Sequence, residues 1–170
     1  MARLSTKREA RTHACELARK YDTVPVPIRQ IAKEMGVTVI SHHLDDDVSG
    51  FLIVKDRKPV IVVNKRHHPT RQRFTIAHEL GHYQLHFQDS DEVFHRDELS
   101  GHGTSRMEIQ ANTYAGELLM PREEVERALG PTVLDAFNET SSEQVEKVAR
   151  KFGVSQHAMS IRLQQLGRLV

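Results

Sequence analysis

The stretch FTIAHELGHYQLHF, Phe74 to Phe87, sets His78, His82 and His86 four residues apart and places Glu79 directly after the first. Residues four apart on a helix share a face, separated by roughly 6 Å of rise and 40° of rotation. Two imidazoles so placed can converge on one zinc ion at bond lengths of about 2.1 Å. Glu79 then falls on the adjoining face, close enough to hold a metal-activated water without ligating the metal, which is the physical content of a His-Glu-x-x-His pattern. The chemistry is metal-assisted hydrolysis, with a carboxylate as general base. A chain with eleven histidines matches this pattern by chance about 0.06 times. The competing reading is a surface helix carrying solvated His and Glu.

A catalytic zinc site needs a third protein ligand. On a continuous helix His86 lies roughly 12 Å along the axis from His78 and is rotated by about 80°. The three histidines therefore cannot all reach one ion without breaking the helix, and no glycine follows His82 to break it. His86 reads as a helix-end residue or a support behind a ligand. The better third ligand is Glu108, in RMEIQANTYAGELLMP, which opens a second helix after a loop long enough to return the chain to the site. Asn112 lies four residues further on the same face, where its carbonyl can accept the free ring N–H of a ligand histidine and fix its tautomer. Spacing alone leaves Glu108 equally readable as a first-turn glutamate favoured by the helix dipole.

The elements that must position these groups follow from pattern. A helix is expected from about Ser5 to Lys20, with Leu4, Ala14 and Leu17 on its buried face. The prolines of TVPVPI break it. RQIAKEMG is a short helix closed by Gly36, VTVI is a strand, and FLIV and VIVV, joined by KDRKP, form an antiparallel hairpin. SHHLDDDVSG lacks the alternating acidic positions of a calcium loop and reads as a polar turn region. A helix runs from Pro69 to about Phe87. Residues 88–105 form a loop with a short strand at Val93 to His95. Helices at Met107 to Met120 and Arg122 to Leu129 meet at Pro121. Two further helices close the chain, with Ser142 and Ser155 as caps. The expected fold is a single α+β domain: a core over residues 1–122 with a small antiparallel sheet, and a helical lobe over 123–170 packed onto it.

Bulk properties narrow the classes. The 170 residues carry 38% hydrophobic and 28% charged positions with a net charge of +1, which does not suggest binding to nucleic acid mainly through phosphate neutralisation. The single cysteine, Cys15, excludes an internal disulfide and an all-cysteine zinc site. No apolar run is long enough to span a membrane, and no apolar segment follows the basic N-terminus as in a secretory signal. The expectation is a cytoplasmic protein.

RQRFTIAHELGHYQLH followed by ExxANxxAxxLLMP, Glu108 to Pro121, resembles the ImmA/IrrE family of metallopeptidases. The resemblance extends upstream to VPVPIRQIAKEMGV, to Ser49–Phe51, and to VIVVN ending at Asn64. It implies a zincin-like fold, with His78, His82 and Glu108 as zinc ligands (manganese is the alternative metal) and Glu79 as catalytic base. It further implies a helix-turn-helix repressor of the XRE/Cro type as substrate, in mobile elements or stress responses. Tyr114 stands where phenylalanine is usual and Gln110 where a second glutamate is common.

Several choices stay open at this stage. Tyr83, Tyr114, His102 and Arg73 are all eligible oxyanion donors. Val60 to Asn64 reads either as an edge that pairs with substrate or as a buried core strand. The tail VARKFGVSQHAMSIRL imitates a helix-turn-helix, but only Arg162 and Arg168 add charge to its second helix, which favours packing or substrate docking over DNA contact. The other function to weigh is a regulatory protein that binds a repressor or DNA without proteolysis.

Overall fold

The computed structural model describes residues 6–21, 23–98 and 105–170. Leu4, Ser5 and His102 lie outside the described residues. Helix α1 (Lys7–Ala18) opens on a capping box, in which Thr6 accepts from the Glu9 amide and the Glu9 carboxylate accepts from the Thr6 amide. It buries Ala10, Ala14 and Ala18, small residues that let it lie close along a later helix. Helix α2 (Ile28–Glu34) leads into β1 (Thr38–His42). Strands β2 (Val48–Lys55) and β3 (Lys58–Asn64) form the expected antiparallel hairpin. Asp56 and Arg57 close it with positive φ angles of 50° and 60°, the backbone that a two-residue hairpin turn requires.

The sheet has the order β1-β3-β2-β4, where β4 spans Glu92–Glu98. It is mixed, not wholly antiparallel as expected, because β1 pairs with β3 in parallel. The polar turn after β1 carries the chain past the slot that β3 later fills. Buried Asn64, at the end of β3, secures that turn: its side-chain amide donates to the Asp45 carbonyl at 3.0 Å and the Val48 carbonyl at 2.9 Å. β3 is therefore central, and the core-strand reading of Val60 to Asn64 holds. The sheet edges are β1 and β4.

Helix α3 (Pro69–His82) packs between β2 and β3 on one side and α4 (Arg106–Leu119) on the other. Every residue from Thr75 to His82 is buried, which puts the His-Glu-x-x-His segment at the centre of the molecule. The helix continues to Phe87 as expected, but its last five residues, Tyr83–Phe87, widen into a π-helical turn.

Beyond Met120 come α5 (Arg122–Leu129), α6 (Glu139–Phe152) and α7 (Gln156–Gln165). Ser155 caps α7 as expected, accepting from the Ala158 amide. The cap of α6 is Asn138, not Ser142: its side chain accepts from the Thr140 and Ser141 amides, so the helix starts earlier. Gly153 ends α6 in the left-handed conformation, and Arg73 of α3 donates to its carbonyl at 3.1 Å. One hydrophobic cluster runs from Ala10 to Leu169 and includes residues of both the core and the tail helices. No helix among the described residues is long and apolar enough to cross a membrane.

Candidate metal centre

Near the C-terminal end of α3, His78 and His82 present their Nε2 atoms 3.0 Å apart. Glu108 of α4 faces both, with Oε2 3.1 Å from His78 Nε2 and Oε1 3.0 Å from His82 Nε2. A tetrahedral ion with bonds of about 2.1 Å separates its ligands by about 3.4 Å. Each nitrogen-to-oxygen and nitrogen-to-nitrogen separation is therefore slightly shorter than in that geometry, with the two imidazoles facing different oxygens of the Glu108 carboxylate. Two imidazole nitrogens and a carboxylate are a donor set that zinc accepts, so the residues fit a metal ion. The His78 and His82 side chains are 4% and 0% exposed and that of Glu108 is 21% exposed, so one side of the triangle faces outward.

Sequence-local features set this geometry. The four-residue spacing stacks His78 over His82. Ser105 caps α4 by accepting from the Glu108 amide at 3.2 Å, which fixes the glutamate in the first turn. Four residues on, Asn112 Oδ1 lies 2.9 Å from His78 Nδ1. Donation from Nδ1 to that oxygen leaves the Nε2 lone pair aimed at the centre of the triangle.

Glu79 is fully buried and is not among the converging donors. His86 is also outside that set: it lies on the π-helical turn, half-buried, with its ring centroid 5.5 Å from that of His82. The structure adds a residue that the sequence reading missed. His95, on β4, places Nδ1 3.3 Å from Glu79 Oε2 and Nε2 3.3 Å from Glu108 Oε1, and its ring centroid is 3.9 Å from that of His82. The available signal was alternation, because His95 is in phase with Val93 on a strand whose successive side chains point to opposite faces.

The charges of these groups are strongly coupled. Burial pushes the His82 pKa down to about 4, outweighing its hydrogen bond to Glu108. Burial also acts to lower that of His95, but the hydrogen bonds and charges of Glu108 and Glu79 push it up to about 10. The adjacent imidazoles of His78, His82 and His95 hold Glu108 far below the usual carboxylate range.

Among the eligible oxyanion donors, Tyr114 is buried in the seam between α3 and α4, with its hydroxyl pKa raised by burial. Arg73 donates to the carbonyls of Gly153 and Val26. Tyr83 packs half-buried against the core.

Residues 32–164 match the family model of the IrrE N-terminal-like domain, peptidase M78. The chain belongs to that family. As a peptidase M78 protein it is similar to the uncharacterized immunity region protein 2 of Bacillus phage phi105, with 32% identity over 92 residues. That alignment covers 54% of this chain and 57% of the phage protein, so little more than half of that relative's length is spanned. The M78 fold is also that of a Mycobacterium tuberculosis transcriptional regulator, with a TM-score of 0.62 at 20% identity, covering 92% of this chain and 47% of the regulator.

Proposed function

We propose that the protein is a zinc-dependent endopeptidase that cleaves a helix-turn-helix repressor of the XRE/Cro type in the cytoplasm. One observation carries the reading. A buried carboxylate, Glu79, stands beside the His78, His82, Glu108 triangle without belonging to it. A purely structural metal site has no use for a base next to an open side.

His78, His82 and Glu108 would hold the zinc ion, which would supply Lewis acidity towards a carbonyl and bring the pKa of water towards about 7. Glu79 takes the proton from the attacking water and passes it to the departing amine. Asn112 keeps His78 in the ligand tautomer. The edge strand β4, which carries His95 into the site, is the element on which an extended substrate segment can pair by backbone hydrogen bonds.

The repressor as substrate is supported by membership of the M78 family and by the likeness to a phage immunity-region protein. The alternative is a regulatory protein that binds a repressor or DNA without proteolysis, and its DNA form is weakened by the tail's own contacts. Arg162 is buried against Glu117 through two hydrogen bonds of 2.8 and 2.5 Å, and Arg168 donates to the Gly130 carbonyl.

The deciding experiment compares wild type with Glu79→Gln on a helix-turn-helix repressor of the XRE/Cro type, taking the neighbouring gene's product as the first substrate tried, with and without chelator. The nearly isosteric amide keeps zinc and fold but cannot take a proton, so turnover falls by about 10²–10⁴ while repressor binding survives. Derepression by the Gln variant equal to that of wild type would sink the peptidase reading.

A further inference from the structure

We infer that His95 is a positioning residue that tethers Glu79 and keeps it off the metal, an inference that rests on the peptidase reading. A general base in this position faces a physical conflict. It must stay close to the reacting centre, yet an anionic carboxylate buried beside a dication in a low-dielectric site is drawn to become a ligand itself. Glu79 directly follows His78 in the chain and lies fully buried, yet its oxygens stand outside the converging donor set.

His95 answers that conflict from a third element. Its Nδ1 holds Glu79 Oε2 at 3.3 Å and its Nε2 holds Glu108 Oε1 at 3.3 Å, so one imidazole spaces the base from the ligand carboxylate. The ring is itself fixed. Strand β4 pairs with β2 with His95 opposite Leu52, and the ring centroid lies 5.9 Å from that of Phe87. Phe94, the next residue back, points to the other, more exposed face of the strand, where its ring centroid lies 5.6 Å from that of Phe51. A rigid support of this kind is what a base needs to hold a productive geometry.

The test uses His95→Ala, His95→Asn and His95→Gln, alone and combined with Glu79→Gln. The readouts are zinc affinity by chelator competition, the visible spectrum of the cobalt-substituted protein, and repressor cleavage. Without the tether, Glu79 joins the metal. His95→Ala should then bind zinc as tightly as wild type or up to about tenfold tighter, change the cobalt spectrum, and lose turnover by about 10²-fold with KM within threefold. The affinity gain and the spectral change should vanish in Glu79→Gln/His95→Ala, because an amide is a poor ligand. Asparagine places its amide nitrogen where Nδ1 stands and should retain turnover within about tenfold of wild type. Glutamine places its nitrogen where Nε2 stands and should behave like alanine.

An unchanged cobalt spectrum in His95→Ala overturns the inference. So does a loss of zinc affinity of tenfold or more that persists in the Glu79→Gln background, since His95 would then be a ligand or a fold element. If wild type cleaves no repressor, the peptidase reading fails, and the spectra and affinities still decide whether His95 tethers Glu79.

Discussion

Gly81 of α3 meets Ala111 of α4 so closely that a Cβ added to the glycine would stand 3.1 Å from the Ala111 Cα and 3.1 Å from the Tyr114 Cβ. Ala111 is flanked on its helix by Glu108, one turn before, and Asn112, directly after. The contact that brings the helices together therefore also sets the depth at which the carboxylate and the amide reach His78 and His82.

Gly81→Ala should push α4 outward, because backbone and a buried tyrosine give way poorly. The expected cost is about 1–3 kcal/mol of stability, and zinc affinity should fall by about tenfold because the Glu108 carboxylate is displaced. Gly116→Ala is the control. Gly116 lies on α4 with nothing within 4 Å of its added Cβ, and the change should be neutral or stabilising by up to about 1 kcal/mol. Urea unfolding and chelator competition measure both effects, and equal behaviour of the two variants would remove the special role of the contact.

Metal content should follow the converging donors. Alanine at His78, His82 or Glu108 should lower bound zinc sharply, whereas His86→Ala should leave the stoichiometry near that of wild type. Elemental analysis after dialysis decides. Loss of metal from His86→Ala, with retention in Glu108→Ala, would reverse the assignment.

With the metal stripped by chelator, two histidines should shape stability in opposite directions. His82 has a folded pKa of about 4, below its ordinary 6.5, so its contribution weakens as pH falls from 6.5 towards 4, where the unfolded chain takes the proton and the folded one does not. His95 has a folded pKa of about 10, so its contribution is complete below pH 6.5 and is lost as pH rises towards 10. Urea midpoints should therefore peak near pH 6.5. His95→Ala should flatten the limb between pH 6.5 and 8.5, and an unaltered limb would show that the ring is not held between the two carboxylates.

What was legible in the sequence was whatever depends on spacing along one helix. His78 and His82 share a face by periodicity alone, as do Glu108 and Asn112, and these four groups meet in the structure. The hairpin was legible because its two apolar runs are separated by a turn. What depends on pairing across the chain was not. β1 lies parallel to β3 because Asn64 holds the intervening turn aside, a contact made by residues far apart in sequence. A short strand at Val93 to His95 was legible and β4 extends it to Glu92–Glu98, but only the register opposite Leu52 points His95 inward. The cap of α6 is Asn138 and not Ser142 because Ser141 and Ser142 offered rival starts just downstream and local chemistry does not rank them.

Arg162, one of the two arginines of the tail's last helix, pairs with Glu117 on α4, the helix that carries Glu108. A further bond from Arg162 Nε to the Met120 carbonyl at 3.0 Å grips the end of that helix. This bears on how the chain can be dissected. Cutting before α7 to obtain a shorter fragment would leave the buried Glu117 carboxylate with only the half-exposed Arg11 as a charged partner, on the same helix whose first turn carries Glu108. The tail is better treated as a splint for α4 than as a detachable module, and fusion partners or affinity tags belong where they do not pull on it.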